Sequence, residues 1–344
     1  MSAAKGTVVV TGANGGLGSS IVKQIASQPN LKGYHGLYAV READSASSLK
    51  TILSETPSHS HDVVSLDLND LSSVRGVAEA LNARVVAGSL PPIQVLILNA
   101  GFQDFGKQVW TRDGLDMTFS TNYLGHWLLA LLLLKSMNKE SGRIVVIGSQ
   151  SHDPYDKRND RSQAFADEKY KTFVHDKDSF EAIARGTWSS AQEDPSWKSG
   201  FRRYGAAKLF LIMMIHELQS RLDRDPVLNN ISILGVDPGT MMTGLQRHAP
   251  WLIRVLIFKL IYPIVAFLWP NGSVRRPNMS ASEVLQAAFD SYHGEFPKDL
   301  YCVNNEIFET SVESRDAQKR DLVWKESVQY AHLKQSETIL VDWQ

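Results

Sequence analysis

Two tyrosine–lysine pairs in this sequence have the spacing that a proton-transfer couple needs. Tyr204 and Lys208 lie in the stretch RRYGAAKLFL, and Tyr330 and Lys334 lie in YAHLK. On a helix, residues four positions apart share a face, so each lysine would lie beside its tyrosine. A free phenol titrates at about pH 10, and a nearby cation favours the phenolate, which brings proton exchange closer to neutral pH. The spacing alone does not choose between the two pairs.

Short apolar runs alternate with helix-length segments along the chain and predict its fold. The strand-like runs cover residues 6–12, 36–41, 62–68, 93–101, 142–149 and 230–239, with a weaker one at 299–303. Several runs are almost entirely apolar, which is typical of strands buried on both faces. We therefore expect an α/β fold with a Rossmann-type, doubly wound parallel sheet of about seven strands and helices on both faces. The 344 residues form one domain in this interpretation.

The segment 153–200 interrupts the alternation of strands and helices. It is polar, charged and dotted with aromatic residues, so we interpret it as an insertion. Long loops in compact domains are usually functional or disordered, and this one ends beside Tyr204, so we expect a lid over the pocket. Trp188 and Trp197 are candidate substrate or packing contacts of the lid. The two arginines directly before Tyr204 mark its expected hinge.

A second unusual segment, 244–280, is predicted to be an apolar substrate loop. Within it, residues 251–269 are apolar at 16 of 19 positions, a length that nearly crosses a bilayer. Arg254 and Lys259 would each cost roughly 2.5–3.5 kcal/mol near the bilayer centre, and Pro263 interrupts a helix. We expect short apolar helices over the substrate pocket. Peripheral membrane contact is the alternative, and a true span is the least favoured reading.

The stretch VVVTGANGGLGSSIVKQIA has the order strand, glycine turn, helix. Gly12, Gly16 and Gly18 are spaced G-x-x-x-G-x-G. Glycines at such a turn let the backbone approach a pyrophosphate and aim a helix N-terminus at it. We therefore predict a dinucleotide site here, made by Gly12, Asn14, Gly15, Gly16, Leu17 and Gly18.

The ends of the second and third predicted strands bear on which dinucleotide binds. NAD-specific folds usually place an acid at the end of the second strand to bind the ribose 2′-hydroxyl. Here Val40 takes that position and Arg41 follows it, and a guanidinium suits a 2′-phosphate. We expect NADP(H), while Glu42 is the group that could serve NAD instead. Asp67, followed by Leu68, ends the third strand within reach of an adenine ring; its alternative role is a helix cap or turn residue.

Composition excludes several classes of function. The net charge is −1, the isoelectric point is about 6.8 and no strongly basic run occurs, so nucleic acid is not expected as a partner. Cys302 is the only cysteine, which excludes an internal disulfide or a Cys-rich zinc site and suits a reducing compartment. His59 and His61 lie in a serine-rich loop, and we expect no metal there. The first residues lack the layout of a signal peptide, so we expect a cytoplasmic protein.

Six motifs, in order, make the chain resemble the short-chain dehydrogenase/reductase family over most of its length. They are TGANGGLG, NAG at 99–101, TNYLGHW with Asn122, VVIGSQSH with Ser149, YGAAK, and DPGTMMT with Thr243. The strand end YAVR and the tail RDLVWKESVQYA look most like the retinol-dehydrogenase-like branch, whose members use NADP(H) on lipophilic carbonyls.

The resemblance chooses between the two tyrosine–lysine pairs. Tyr204 and Lys208 follow the serine strand, where the family has its catalytic helix, so we assign no chemistry to the later pair. In this family Tyr204 would give a proton to the developing alkoxide and Ser149 would donate a hydrogen bond to the same oxygen. Ser151, two residues on, is the alternative serine. The resemblance also implies that Lys208 binds the nicotinamide ribose and that Asn122 holds a water linking Lys208 to solvent.

Further cofactor contacts are implied by the family motifs. His126, four residues after Asn122, is interpreted as a packed histidine rather than a catalyst, and Thr243 could cap a helix instead of binding the cofactor. Between Ser149 and Tyr204 lie more residues than in most members, because the segment 153–200 is inserted there. The implied contacts, besides the glycine turn, are Asn99, Ala100, Gly101, Tyr204, Lys208, Pro238, Gly239 and Thr243.

Taken together, these features predict an NADPH-dependent oxidoreductase. It would reduce a carbonyl, or oxidise the matching alcohol, of a bulky lipophilic molecule such as a steroid-, retinoid-, terpenoid- or polyketide-like compound. The alternatives are a specialised biosynthetic enzyme acting on a C=C or imine bond, and a non-catalytic NADP(H)-binding sensor or scaffold. A homodimer, and peripheral contact with an intracellular membrane through 251–269, are further expectations.

Overall fold

The computed structural model describes residues 4–241, 274–290, 294 and 297–344, and ten strands form within them. The strands are β1 (Thr7–Thr11), β2 (His35–Val40), β3 (His61–Ser65), β4 (Ile93–Leu98), β5 (Arg143–Ile147), β6 (Ser232–Asp237), β7 (Thr240–Met241), β8 (Val274–Arg275), β9 (Leu300–Val303) and β10 (Glu306–Ile307). Eight of them make the central sheet, and β7 and β8 form a separate parallel pair.

The central sheet has the order β10-β9-β6-β5-β4-β1-β2-β3, and all its neighbouring strands are parallel except β9 and β10. The order reverses between β1 and β4, and at such a point the loops after the two strands diverge and leave a crevice. All seven predicted strands are present, and the predicted fold class is confirmed. Strands β1, β4 and β5 end at Thr11, Leu98 and Ile147, earlier than expected, because the residues that follow turn away to form the crevice.

Helices cover both faces of the sheet. They are α1 (Gly16–Ser27), α2 (Ser47–Glu55), α3 (Leu71–Val86), α4 (Met117–Ser136), α5 (Lys177–Ala184), α6 (Trp197–Arg224), α7 (Pro277–Phe289), α8 (Val312–Arg315) and α9 (Ala317–Tyr330). Apolar side chains of α1, α2 and α7 pack on the face that carries Val8 and Val10. Those of α3, α4, α6 and α9 pack on the face that carries Val9. Because side chains alternate along a strand, both faces had to be apolar.

Helix α4 is the most apolar helix of the described residues and lies in the core. It is long and apolar enough to cross a membrane, but 94% of its most apolar 18-residue stretch is buried inside the protein. Trp127 is fully buried against Trp324 of α9, with ring centroids 5.2 Å apart. These contacts make it a core helix. Residues Ser120–Leu124, after its first three residues, form a π-helical turn.

The segment 153–200 packs into the same core as the sheet. It contains short 3₁₀ turns, at Lys157–Ser162 and Glu168–Tyr170, and helix α5. Phe165, Phe173 and Phe180 are buried in the cluster that includes α4 and α6.

The junction between the insertion and helix α6 is held by two buried arginines. Arg202 forms an ion pair of 2.5 Å with Asp194 and lies 4.0 Å from the ring centroid of Tyr170. Arg203 donates to both carboxylate oxygens of Asp104, at 2.9 and 2.7 Å. Both guanidinium groups are almost fully buried. The sequence suggested a hinge here, whereas the structure shows an anchored junction, because each cation is paired inside the protein.

Candidate active site

The glycine turn after β1 has the geometry of a pyrophosphate-binding loop. Gly12 has a φ of +65°, and a Cβ there would lie 2.8 Å from the Cα of Ala100. Gly18 faces the carbonyl of Gly12 so closely that no side chain fits between them. Helix α1 begins at Gly16 with no side-chain cap and no acidic residue in its first turn. Its free N–H groups therefore point into the crevice and suit an anion.

Asn99 and Thr11 join the glycine turn to the loop after β4. The hydroxyl of Thr11 accepts the backbone N–H groups of Asn99 and Ala100, at 2.9 and 3.0 Å, and the amide of Asn99 donates to the carbonyl of Thr11 at 2.8 Å. His126 lies 2.9 Å from the same hydroxyl. Burial, together with the charge of Lys208, lowers the pKa of His126 to about 3, so this histidine is neutral and packs as expected. The structural role of Thr11 was missed in the sequence, although it lies directly before Gly12.

A cleft of about 1640 Å³ runs along the carboxyl ends of the strands. Arg41 is exposed on its wall directly after β2, and Glu42 lines it too, with a hydrogen bond from Ser45 at 3.1 Å. Asp67 also lines the cleft, but its carboxylate accepts the backbone and side-chain N–H groups of Asn69, and the cap of α3 is Asp70. Asp67 is therefore a turn residue that also lines the cleft, and its contact with an adenine ring stays a prediction. The other predicted cofactor residues that line the cleft are Gly12, Asn14, Gly15, Gly16, Leu17, Gly18, Leu68, Asn99, Ala100, Gly101, Pro238 and Gly239.

Ser149 is the serine that faces the cleft. It follows β5 and lines the cleft, whereas Ser151 is fully buried behind it. Both the hydroxyl and the backbone N–H of Ser151 donate to the oxygen of Ser149, at 3.0 and 3.2 Å. A serine oxygen has two lone pairs and one hydrogen, so these two bonds leave the hydrogen of Ser149 available for a group in the cleft. Ser151 is thus a support for Ser149 and not its replacement.

Tyr204 and Lys208 lie on helix α6 and line the same cleft as Ser149. The ammonium of Lys208 lies 5.5 Å from the centroid of the Tyr204 ring and donates to the carbonyl of Ile147 at 2.7 Å. Helix α6 can come this close to the serine loop because Gly205 has no side chain; a Cβ there would lie 2.5 Å from the carbonyl oxygen of Ser151. The expected serine, tyrosine and lysine are therefore brought together.

Burial governs the proton affinities of this pair. It raises the pKa of Tyr204, the charge of Asp237 raises it further, and a hydrogen bond from Ser149 lowers it. Burial lowers the pKa of Lys208 to about 7, against a smaller opposite effect of Asp237. From the sequence we expected the lysine cation to lower the pKa of the tyrosine. In the structure the loss of water around the buried phenol is the largest effect on its pKa, because a phenolate is harder to bury than a phenol.

Asn122 does not line the cleft but holds its wall. Its side chain accepts the N–H of Phe102 at 3.0 Å and donates to the carbonyls of Phe102 and Thr118, at 2.8 and 2.7 Å. These bonds fix the loop after β4, and Phe102 lines the cleft. The water-holding role of Asn122 stays a prediction.

Only a small part of the insertion faces the cleft. Trp197, at the start of α6, lines it, while Trp188 packs against Tyr170 and Phe173, with ring centroids 5.4 and 5.2 Å apart. The lid movement stays a prediction. The insertion residues that line the cleft are Lys157, Arg158, Asn159, Arg161 and Ser162.

Several predicted features lie elsewhere or outside the described residues. Tyr330, of the second pair, ends α9 and packs against Phe180, with ring centroids 5.2 Å apart. Thr243 and the segment 251–269 lie outside the described residues. Among the residues that are described, no cluster of His, Cys, Asp or Glu is arranged to hold a metal ion.

A polar cluster near Ser149 and Tyr204 was not predicted from the sequence. Asp237 and Arg158 form an ion pair of 3.0 Å there. Tyr301 of β9 lies against Gly148, where a Cβ would meet its ring. A charged residue directly before the Pro-Gly turn was the available signal for Asp237; nothing in the sequence signalled its partner in the insertion.

An α/β sheet that carries a glycine turn and a serine–tyrosine–lysine site on one crevice defines a class of nucleotide-dependent oxidoreductases. Residues 6–157 match the family model described as short chain dehydrogenase. The short-chain dehydrogenase iccH of Talaromyces variabilis is 40% identical to this chain over an alignment of 364 residues, gaps included, which covers 99% of each chain. The chain therefore belongs to the short-chain dehydrogenase family.

More distant relatives share part of the chain. The human WW domain-containing oxidoreductase is 32% identical over 258 residues, which cover 74% of this chain and 53% of that protein. Mouse polyprenol dehydrogenase is 29% identical over 253 residues, covering 72% of this chain and 63% of that protein.

Solved structures share the fold. The angucycline C-6 ketoreductase LanV with bound NADP has a TM-score of 0.56 at 17% identity, over 88% of this chain and 95% of that one. YwfH, an NADPH dependent reductase involved in bacilysin biosynthesis, has a TM-score of 0.57 at 17% identity, over 87% of this chain and 96% of that one.

Proposed function

We propose that the protein is an NADPH-dependent oxidoreductase that reduces the carbonyl of a bulky lipophilic molecule, or oxidises the matching alcohol. The observation that carries the proposal is the position of Ser149, Tyr204 and Lys208 on the same cleft as the glycine turn. LanV and YwfH, which share the fold, are described as an NADP-bound ketoreductase and an NADPH dependent reductase, and this supports the cofactor and the reaction.

The cofactor is NADP(H) in this proposal. The free N–H groups of α1 would bind the pyrophosphate, and the exposed guanidinium of Arg41 would bind the 2′-phosphate. When the cofactor is bound, its nicotinamide ring would donate the hydride in reduction and accept it in oxidation. Lys208 would bind the nicotinamide ribose.

The chain's own residues handle the proton. In reduction, Tyr204 gives its phenolic proton to the oxygen of the carbonyl as that oxygen becomes an alkoxide. Ser149 donates a hydrogen bond to the same oxygen, and the bonds from Ser151 keep that hydrogen directed at the cleft. Burial raises the pKa of Tyr204, so the phenol keeps its proton in the resting site, and neighbouring cations that favour the phenolate then help it to release that proton.

The apolar walls of the cleft support a lipophilic substrate. They come from the loop after β4, from the start of α4 and from the first turns of α6. The relative that is named polyprenol dehydrogenase is in line with such a substrate. The apolar residues of these walls are Phe102, Phe105, Val109, Met117, Trp197 and Phe201.

The test is a screen that follows NADPH consumption by the purified protein with lipophilic ketones, with α-tetralone as the first probe. We expect turnover in the parent and a loss of roughly 10²–10⁴-fold in Tyr204→Phe. Tyr330→Phe is the matched control, because the second pair lies away from the cleft, and it should keep the parent rate. Equal rates in the parent and Tyr204→Phe would contradict the mechanism. Tight NADPH binding without turnover of any ketone would favour the sensor alternative.

We also propose that the protein is cytoplasmic and forms a homodimer. In addition, we propose that residues 251–269 make peripheral contact with a membrane. The composition of that segment supports the membrane contact, since 16 of its 19 residues are apolar. Flotation with phosphatidylcholine vesicles, compared between the parent and a variant in which several of these apolar residues are replaced by serine, tests it. Equal flotation of the two proteins would contradict the proposal.

A further inference from the structure

Asp237 is a buried carboxylate that lines the same cleft as Tyr204 and Ser149. It ends β6, and one of its oxygens accepts the N–H of Gly239 at 2.9 Å. The other oxygen accepts from the Arg158 guanidinium at 3.0 Å. Only 3% of the Asp237 side chain is exposed. A buried carboxylate without a partner is strongly unfavourable, and Arg158 supplies the cation that pairs with Asp237.

Arg158 comes from the insertion and is held in a fixed orientation. Its other guanidinium nitrogens donate to the carboxylate of Asp156, at 2.6 to 3.1 Å. Asp156 in turn caps the 3₁₀ turn that carries Arg158. Burial lowers the pKa of Arg158, but the bond to Asp156 and the charges of Asp237 and Asp156 more than offset this and raise it. Arg158 is therefore always a cation, and each of its three guanidinium nitrogens donates to a carboxylate.

The titratable and polar groups near Tyr204 and the Arg158–Asp237 ion pair come from five parts of the fold. The charge of Asp237 opposes the phenolate form of Tyr204 and raises the pKa of Lys208. The charges of Asp237 and Arg158 act in opposite directions on the neighbouring phenol of Tyr301. The titratable or polar groups concerned are Lys208 on α6, Ser149 and His152 after β5, Asp237 at the end of β6, Tyr301 on β9, and Arg158 and Asp156 in the insertion.

We propose that Arg158 is a positioning residue for the reaction: its ion pair with Asp237 screens this carboxylate from Tyr204 and keeps the tyrosine able to release its proton. The inference rests on the proposed role of Tyr204 as the proton donor. In this arrangement the insertion takes part in the chemistry through a charge, because it supplies the cation that offsets the negative charge at the end of β6.

The consequences for Tyr204 have a definite sign. Without Arg158, the field of Asp237 is unscreened, the phenolate is disfavoured, and the pKa of Tyr204 rises. Without the charge of Asp237, the phenolate is favoured and the pKa falls. We expect a shift of about one pH unit in each direction, the lower end of what a single nearby charge produces.

The experiment measures the titration of Tyr204 directly and does not need turnover. The protein carries tyrosine labelled with ¹³C at the ζ carbon and is saturated with NADP⁺, and the Tyr204 resonance is the one that is missing in Tyr204→Phe. Arg158→Met should move its midpoint to higher pH and Asp237→Asn should move it to lower pH. In Arg158→Met/Asp237→Asn the upward shift should disappear, and Arg158→Lys should restore most of the parent value. The pH dependence of α-tetralol oxidation should shift in the same direction as the resonance.

A matched control is Arg185→Met, which removes another cation of the insertion from an exposed ion pair with Glu181. It should leave the midpoint of Tyr204 unchanged. An unshifted midpoint in Asp237→Asn, or an upward shift that persists in the double variant, overturns the proposal, since the effect would then not come from this pair of charges. Thermal unfolding shows which variants are folded. If Arg158→Met is unfolded, the Tyr204 midpoints of Asp237→Asn and Arg158→Lys test the proposal. Failure of the proposed function itself would show differently, as unchanged turnover in Tyr204→Phe.

Discussion

The hydroxyl of Ser151 lies 3.0 Å from the hydroxyl of Ser149 and donates to it, while only Ser149 reaches the cleft. The backbone N–H of Ser151 fills the second lone pair of the same oxygen at 3.2 Å. The two serines therefore act as one unit, in which the buried Ser151 fixes the direction of the Ser149 hydroxyl in the cleft.

Replacing Ser151 by alanine should weaken catalysis without removing it. One of the two donors to Ser149 is lost, so its hydroxyl becomes free to rotate away from the substrate oxygen. A hydrogen bond of this kind contributes about 1 kcal/mol, so kcat should fall about fivefold to tenfold while KM changes little. Steady-state kinetics with α-tetralone and NADPH measure this. Ser149→Ala is the reference, and its kcat should fall further, by roughly 10²–10³-fold. An equal fall of kcat in both variants would mean that Ser151 has a role of its own.

Replacing Arg41 by alanine should weaken NADPH binding and leave NADH binding almost unchanged. A charge-assisted hydrogen bond to a phosphate is worth about 1.5–3 kcal/mol, which corresponds to roughly 10–100-fold in Kd. Fluorescence titration with both nucleotides measures the two affinities. Glu42→Gln is the control from the adjacent position, and it should leave NADPH affinity unchanged. Weaker NADH binding in Glu42→Gln together with unchanged NADPH binding in Arg41→Ala would instead identify an NAD-dependent site.

Replacing Arg203 by methionine should destabilise the protein strongly. Its partner Asp104 is 1% exposed, and Asp116 lies 3.3 Å from the same guanidinium. Both carboxylates would lose their buried cation; burial already raises the pKa of Asp116, and Arg203 opposes this. Breaking a buried ion pair from one side costs roughly 3–5 kcal/mol, which urea unfolding measures. Lys325→Met, which breaks an exposed pair with Asp321, should cost at most about 0.5 kcal/mol; a similar loss in both variants would contradict the prediction.

The stability of the cofactor-free protein should rise with pH through the neutral and alkaline range because of Lys208. Its pKa is 10.5 in the unfolded chain and about 7 when buried. Between these values the unfolded state holds more protons, so raising the pH favours the folded state. From pH 7 to pH 9 the gain should be on the order of 2 kcal/mol. Urea unfolding of the parent and of Lys208→Met at both pH values checks this, since the variant lacks the titrating group. If the unfolding free energy rose equally with pH in both proteins, the pH dependence would come from another residue.

Much of the fold could be predicted from the sequence because its signals are local. The apolar runs of the sheet must be buried on both faces, and this alone predicts helices on both sides. Gly12 needs a positive φ, which few other residues tolerate, so the turn after β1 is visible in the sequence. The spacing of Tyr204 and Lys208 likewise places both on one face of a helix.

Other features depend on residues that are distant in sequence and were decided only by the tertiary structure. The pKa of Tyr204 is raised because water is excluded from around it, and spacing along a helix carries no information about water. Asn122 turned out to bond only to backbone groups of the cleft wall, since its direction depends on how α4 packs.

The sequence by itself determined the sheet, the glycine turn and the order of Ser149, Tyr204 and Lys208 along the chain. Only the tertiary structure decided that Arg158, in a segment without any recognisable pattern, pairs with Asp237 at a distance of 79 residues along the chain. The physical reason is that local conformation follows from neighbouring residues, whereas the field at a buried proton donor depends on every charge that folding brings close to it.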